Sequence, residues 1–291
     1  MNILEVDQIS LKTGKIKRLD RCSFDVKSNE IFGLMGQNGS GKSSLIRSIL
    51  GLQTPQQGEI RFFCQRSEVG YVPQHYSFYE EYSVERNIRF FRNLCDNPYS
   101  ITKILDEFEL SEFKEMKAAH LSGGYKRLLN MAVSMVRPLR LLILDEPTAN
   151  MDIFMRRKIM SVVERVAEGD MSVILTTHFV DETESYCDRI ALMASGRIRA
   201  AGTVREIVSQ YGGDYVIDAT CEDGERLMGA LKKAGYETHK ERHSISTSIP
   251  HAMGNTGIVE ALRIYSKFEV SRLNVQEPSL SRAMQVLVEH D

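Results

Sequence analysis

No stretch of this sequence approaches the 18 consecutive apolar residues that mark a membrane-crossing helix, and the N-terminus lacks the apolar region of a secretory signal. The chain is therefore expected to stay in the cytosol and to span no membrane. Its five cysteines (Cys22, Cys64, Cys95, Cys187, Cys221) form no C-x-x-C pair and no His/Cys cluster. That points to a reducing compartment and away from a zinc site. Charge of one sign is also lacking. The formal net charge is −2, so no global field draws in nucleic acid or an anionic membrane, and neither is an expected direct partner. Short basic runs at 12–21 and 137–140 read as solvated surface. No internal repeat or low-complexity segment is visible. What remains is a 291-residue chain, 42% hydrophobic and 26% charged, with enough apolar surface for one large domain or two moderate ones.

One stretch organises the rest. Gly36-Gln37-Asn38-Gly39-Ser40-Gly41-Lys42-Ser43 fits G-x-x-x-x-G-K-[ST], after the apolar run Ile31-Phe32-Gly33-Leu34-Met35 and before a helix opening at Ser44. Strand, loop and helix in that order are the context a phosphate-binding loop requires. Its glycines let successive N–H groups turn inward toward anionic oxygens, and the helix adds its positive end. Lys42 is placed to reach the β- and γ-phosphates of a nucleotide, and the Ser43 hydroxyl to ligate Mg²⁺.

Around this loop the pattern is α/β. Residues 3–10 alternate as an antiparallel edge strand would, and 19–26, 59–63 and 68–72 read as further short strands. From 84 to 113 the spacing is helical, with no strand. Continuous apolar runs at 141–144, 172–176 and 189–193 are typical of strands buried on both faces of a parallel sheet, with helices between them. Beyond Tyr211-Gly212-Gly213 the order is β-α-β-β-α-β: strands at 215–219, 236–242, 244–249 and 270–275, and helices at 225–234 and 256–268. This is the split-βαβ, ferredoxin-like pattern, and a last helix follows from Ser279. The tail gathers no catalytic residue types and reads as an accessory α+β domain.

Asp145 ends the apolar run at 141–144, and Glu146 follows at once. An acid at that place can hold Mg²⁺, and a carboxylate one residue on can act as general base on water. Ser122-Gly123-Gly124 opens another helix, either as an ordinary N-cap or as a second anion nest. His178 follows the strand at 172–176.

These motifs, with Gln74 after the strand at 68–72 and Asp152 beyond Pro147, resemble in content and order the nucleotide-binding subunit of an ABC (ATP-binding cassette) transporter. The similarity covers residues 1 to about 210, and the helical block at about 75–137 matches that family's helical subdomain. Residues 211–291, through Glu277-Pro278-Ser279-Leu280, resemble the extra C-terminal domain of bacterial multidrug- and antibiotic-export cassettes. The resemblance implies a phosphate-loop ATPase core with an antiparallel β-subdomain and a helical subdomain. It implies ATP and Mg²⁺ as ligands, with residues Gly36 to Ser44 cradling phosphates and Ser43, Gln74 and Asp145 on the metal side. Glu146 would be the general base, aided by Lys42, Gln74 and His178. Ser122, Gly123 and Gly124 would close over nucleotide held by a second copy, with Asp152 at that interface. A separate transmembrane permease would be the partner, leaving this chain peripheral on the inner face of the membrane. A soluble, non-transport regulatory ATPase is the alternative. Thr13 stands where the family stacks adenine on an aromatic ring, with Ile16 the nearest apolar substitute. Tyr125 and Asn150-Met151 also depart from the usual residues.

Overall fold

The computed structural model describes residues 1–240 and 244–289. Two twelve-residue strands open the chain, β1 (Asn2–Thr13) and β2 (Ile16–Lys27), followed by β3 (Ile31–Met35), the phosphate-loop residues and α1 (Lys42–Ile49). Then come β4 (Gln57–Phe62), β5 (Val69–Val72), α2 (Val84–Arg92), α3 (Ile101–Glu107) and α4 (Gly123–Ser134). The order continues with β6 (Leu141–Asp145), α5 (Ile153–Ala167), β7 (Ser172–Thr177), α6 (Val180–Tyr186), β8 (Arg189–Ala194) and β9 (Arg197–Gly202).

A six-stranded sheet runs β5-β6-β7-β3-β8-β9, parallel except for the antiparallel edge strand β9. β6 shows why its sequence is a continuous apolar run. Leu142 and Leu144 face one core with Val72, Leu128 and Val173, while Leu141 and Ile143 face the other with Phe32, Leu45 and Ile174. Both sets are fully buried. Helices α2 to α5 cover the first face, and α1 with a small antiparallel sheet covers the second.

That small sheet has the order β2-β1-β4, so β1 is its central strand and not an edge. The reason lies in its burial. Ile3, Leu4, Val6, Ile9 and Leu11 are all buried, and Leu4 to Ser10 pair with β4 while the opposite side pairs with β2. A bulge near Gln8, whose φ is +51°, breaks the alternation that suggested an edge.

The chain divides into two compact units, Met1–Val204 and Arg205–Asp291. The second contains α7 (Val204–Tyr211) from its second residue, β10 (Tyr215–Cys221), α8 (Gly224–Lys233), β11 (Glu237–Lys240), β12 (Ile245–Ile249), α9 (Gly254–Tyr265), β13 (Val270–Gln276) and α10 (Leu280–Glu289). Its sheet runs β11-β12-β10-β13, antiparallel throughout, around a core of Ile217, Leu227, Leu231, Ala261 and Tyr265. The last two residues of the strand expected at 236–242 lie outside the described residues.

Candidate nucleotide site

The parallel register gathers the chemistry at one edge of the large sheet. Met35 pairs with Thr177, Asp145 with Thr176, and Val72 with Leu144. The segments leaving β3, β5, β6 and β7 therefore emerge side by side at the strands' carboxyl ends, where α/β sheets hold ligands.

Between Met35 and Lys42 the backbone turns through Gly39 (φ +84°) and Gly41 (φ +113°), left-handed conformations that glycine adopts without a side-chain clash. A Cβ on Gly36 would collide with the Met193 carbonyl and lie 2.7 Å from Ser40 Oγ. Behind the loop, the two-residue turn Ser195-Gly196 joins β8 to β9 with positive φ at both positions. Gly196 N–H donates to the Ser40 carbonyl at 2.8 Å, and Asp20 N–H donates to the Gly196 carbonyl at 2.8 Å. Lys17 and Arg197 hold the Asp20 carboxyl below its ordinary range, which anchors this brace to β2.

Lys42 is buried at the start of α1. Its Nζ donates to the Gly36 carbonyl at 2.7 Å and to the Gln37 carbonyl at 3.2 Å, and lies 3.7 Å from Glu146 Oε1. Burial pushes this amine below its ordinary value, while Glu146 and Asp145 pull it back up. Ser43 and Ser44 sit in the first turn of α1, with Ser43 exposed.

Asp145, the last residue of β6, is buried. Its Oδ1 accepts from Thr176 Oγ1 at 2.8 Å, and Tyr71 OH lies 3.5 Å from Oδ2. Burial, then the Asp145 charge, pushes the Tyr71 phenol up to about 12, so it stays a donor. Glu146 has φ +49°, a conformation that costs a non-glycine residue on the order of 1–3 kcal/mol and that concentrates at functional sites. The Thr176 hydroxyl holds it there by accepting its N–H at 2.8 Å. Gln74 Nε2 donates to Glu146 Oε2 at 3.4 Å. Lys42, Gln74, Asp145 and Glu146 are thus brought together.

His178 follows β7, with its ring 4.1 Å from that of Phe179. The segment is pinned by Thr177 Oγ1 donating to Glu182 at 2.8 Å and by Arg156, which donates to Glu182 at 2.9 Å and covers the Phe179 ring. Among the described residues, His178 Nδ1 is buried without a partner.

Ser122, Gly123 and Gly124 stand at the head of α4, where Gly123 lines a cleft with Gln74, Arg127 and Asn150. Ser122 is the N-cap residue, yet its side chain makes no cap hydrogen bond, so its hydroxyl is not spent on its own helix. A Cβ on Gly124 would run into Met155 of α5. Asp152 caps α5, accepting from Phe154 N–H at 2.9 Å and Met155 N–H at 3.0 Å. Thr13 and its hairpin partner Ile16 are both exposed.

The fit to a nucleotide rests on the loop itself. Among the described residues Ser40 Oγ is buried without a hydrogen-bond partner, Gly36 has no room for a side chain, and the buried Lys42 at the loop's end lies 3.7 Å from the Glu146 carboxylate. Sequence reasoning missed Thr176, Tyr71, Arg127 and Asn130. A hydroxyl pair, Thr176-Thr177, closing the apolar run 173–175 was the one signal available for the first.

A phosphate loop on β3, with a carboxylate pair ending a strand one position removed, defines a phosphate-loop nucleotide-binding protein. Residues 19–149 match the family described as ABC transporter. The "Nod factor export ATP-binding protein I" of Mesorhizobium japonicum is 32% identical over 242 residues, 78% of this chain and 70% of that protein. The "Linearmycin resistance ATP-binding protein" of Bacillus subtilis is 29% identical over 299 residues, 96% of each. A "Probable multidrug ABC transporter ATP-binding protein" of Escherichia coli is 33% identical over 235 residues, 76% of this chain, which spans only 40% of that longer relative. Among solved structures, an ATP-binding subunit of an ABC transporter superposes with a TM-score of 0.64 at 27% identity, over 72% of this chain and 93% of that one. This chain belongs to the ABC transporter family and is an ATP-binding cassette of it.

Proposed function

We propose that the chain is the ATP-hydrolysing subunit of an ABC exporter and drives a separate membrane-spanning partner. The observation that carries this reading is the placement of Glu146, one residue past Asp145, 3.7 Å from Lys42 Nζ and 3.4 Å from Gln74 Nε2. A carboxylate held there can take the proton from water as its oxygen attacks the γ-phosphorus, while the bond from that phosphorus to the β-phosphate bridging oxygen breaks. Lys42 and the loop N–H groups bear on the phosphate charge, Gln74 orients the water, and His178 contacts the γ-phosphate. Ser43 and Asp145 would hold Mg²⁺, which neutralises charge on the phosphate oxygens when bound.

Ser122-Gly123-Gly124 stands at the head of its own helix with an uncommitted hydroxyl. We assign it to the nucleotide of a second copy, so that two chains sandwich two ATP molecules. Among the described residues no helix is long and apolar enough to cross a membrane, and so we place the pore in a partner and this chain on the membrane's cytoplasmic face. We assign the direction as export by similarity to relatives named for Nod factor export and for linearmycin resistance.

The test is the mass of the Glu146→Gln protein by light scattering, with and without ATP and Mg²⁺. A stable dimer forming only with ATP is the expected result. A monomer at saturating, demonstrably bound ATP would overturn the sandwich.

A further inference from the structure

The candidate site has a cradle for phosphates but no aromatic shelf for a base at the β1–β2 hairpin, where Thr13 is exposed and carries no ring. The sheet order says on which side of the loop a shelf must lie. Asp145 and Glu146 arrive from β6, on the far side of β7 from β3. On the opposite side β3 is flanked by β8, which turns through Ser195-Gly196 into β9. A nucleotide whose terminal phosphate faces Glu146 therefore carries its nucleoside toward the β8 side.

β2 lies there. A Cβ on Gly41, the residue before Lys42, would stand 3.0 Å from the Arg18 carbonyl oxygen, and one on Gly196 would stand 2.5 Å from the same atom. The main chain at Arg18 is thus packed against both the phosphate loop and the turn that braces it. Its pairing is also irregular. Leu11 pairs with Leu19 and Lys12 with Lys17, so Arg18 is the extra residue of a β-bulge. Such a bulge re-aims the side chain it carries, and bulges gather beside functional sites.

The Arg18 side chain is exposed, and its charge is not spent on a neighbour. Lys17, Arg21 and Arg197 share the Asp20 carboxylate, whereas among the described residues Arg18 pairs with no carboxylate. A guanidinium is planar, weakly hydrated and suited to lie flat on an aromatic face. The exposed Lys15 and Lys17 offer charge without a plane.

We propose that Arg18 is the base shelf of this site, its guanidinium stacked on the purine while the loop holds the phosphates. The inference rests on the nucleotide reading above and assigns a specificity-determining residue within it. Every purine presents the same kind of face, so this shelf accepts adenine and guanine alike.

Calorimetric titration of the full chain with MgADP, MgGDP and magnesium pyrophosphate, the last a phosphate probe without a base, tests this. Arg18→Ala should weaken both nucleotides by about three- to thirtyfold and leave pyrophosphate within about twofold. Retained pyrophosphate binding also shows that the loop of the variant is folded. Arg18→Lys keeps the charge without the plane and should lose most of the same factor for both nucleotides. Unchanged nucleotide affinity in Arg18→Ala would overturn the proposal. An equal loss for pyrophosphate would also overturn it, by making Arg18 a phosphate contact, and so would full affinity in Arg18→Lys, by leaving charge alone at work. Failure of the nucleotide reading looks different: the unsubstituted chain would bind none of the three.

Discussion

Thr176 makes two bonds with one hydroxyl, donating to Asp145 Oδ1 and accepting from the Glu146 amide, each at 2.8 Å. The first orients the proposed metal-side acid, and the second stabilises the left-handed backbone of the proposed base. Replacing this hydroxyl by a methyl in Thr176→Val leaves a buried N–H without an acceptor. That change should lower stability by about 1–3 kcal/mol in urea unfolding, and ATP turnover should fall while ATP affinity holds. Thr13 predicts something different. It and Ile16 are exposed at the β1–β2 hairpin, and neither offers an aromatic ring to a base. Stacking on a ring is worth on the order of 1–3 kcal/mol per base, so its loss weakens discrimination more than phosphate binding. Titration should give ATP and GTP dissociation constants within about tenfold of each other, and Thr13→Tyr should tighten ATP. A strong ATP preference in the unsubstituted protein would contradict this. At this scale the phosphate loop was readable because its glycines, lysine and serine are contiguous and their geometry is local. Thr176 lies 30 residues from Glu146, and Arg127 lies 53 from Gln74. Only the sheet register and the packing of α4 bring such residues together.

The elements carry their own legibility. β6 and β7 are plain because burial on both faces makes their central residues, 141–144 and 173–175, a continuous apolar run. β9 was not anticipated, since its exposure pattern from Arg197 to Gly202 alternates poorly. α7 was missed because Ile207 is its one buried residue, too little for an apolar stripe. β1 reads as an edge strand in the sequence because its bulges hide how fully it is buried. Close approach between elements gives the sharpest test. Gly124 is where α4 meets Met155 of α5, and the added methyl of Gly124→Ala strikes that side chain. Overpacking of this kind costs roughly 1–3 kcal/mol. Met155→Ala should recover most of the loss in a double-mutant cycle by thermal unfolding, since both changes act through one contact. Additive losses would show that Gly124 is needed for another reason.

At the scale of the whole molecule, one sheet edge collects residues from four strands. Each contributes a part that none has alone: the glycine loop after β3, the proposed acid and base at the end of β6, the glutamine after β5 that touches the proposed base, and on β7 the threonine that bonds both of the β6 residues. The helical layer over one face supplies the Ser-Gly-Gly head and, through Arg127 and Asn130, its tie to the glutamine. The unit Arg205–Asp291 has its own sheet and core, and the proposed chemistry draws no residue from it. In the chemistry proposed above, this edge hydrolyses ATP with Glu146 as the base. The direct measurement is the steady-state ATPase rate of the full chain carrying Glu146→Gln, beside its ATP affinity. Affinity should be unchanged and the rate lower by about 10²–10⁴-fold, the usual contribution of a general base. A variant that still hydrolyses ATP near the rate of the unsubstituted protein would contradict it.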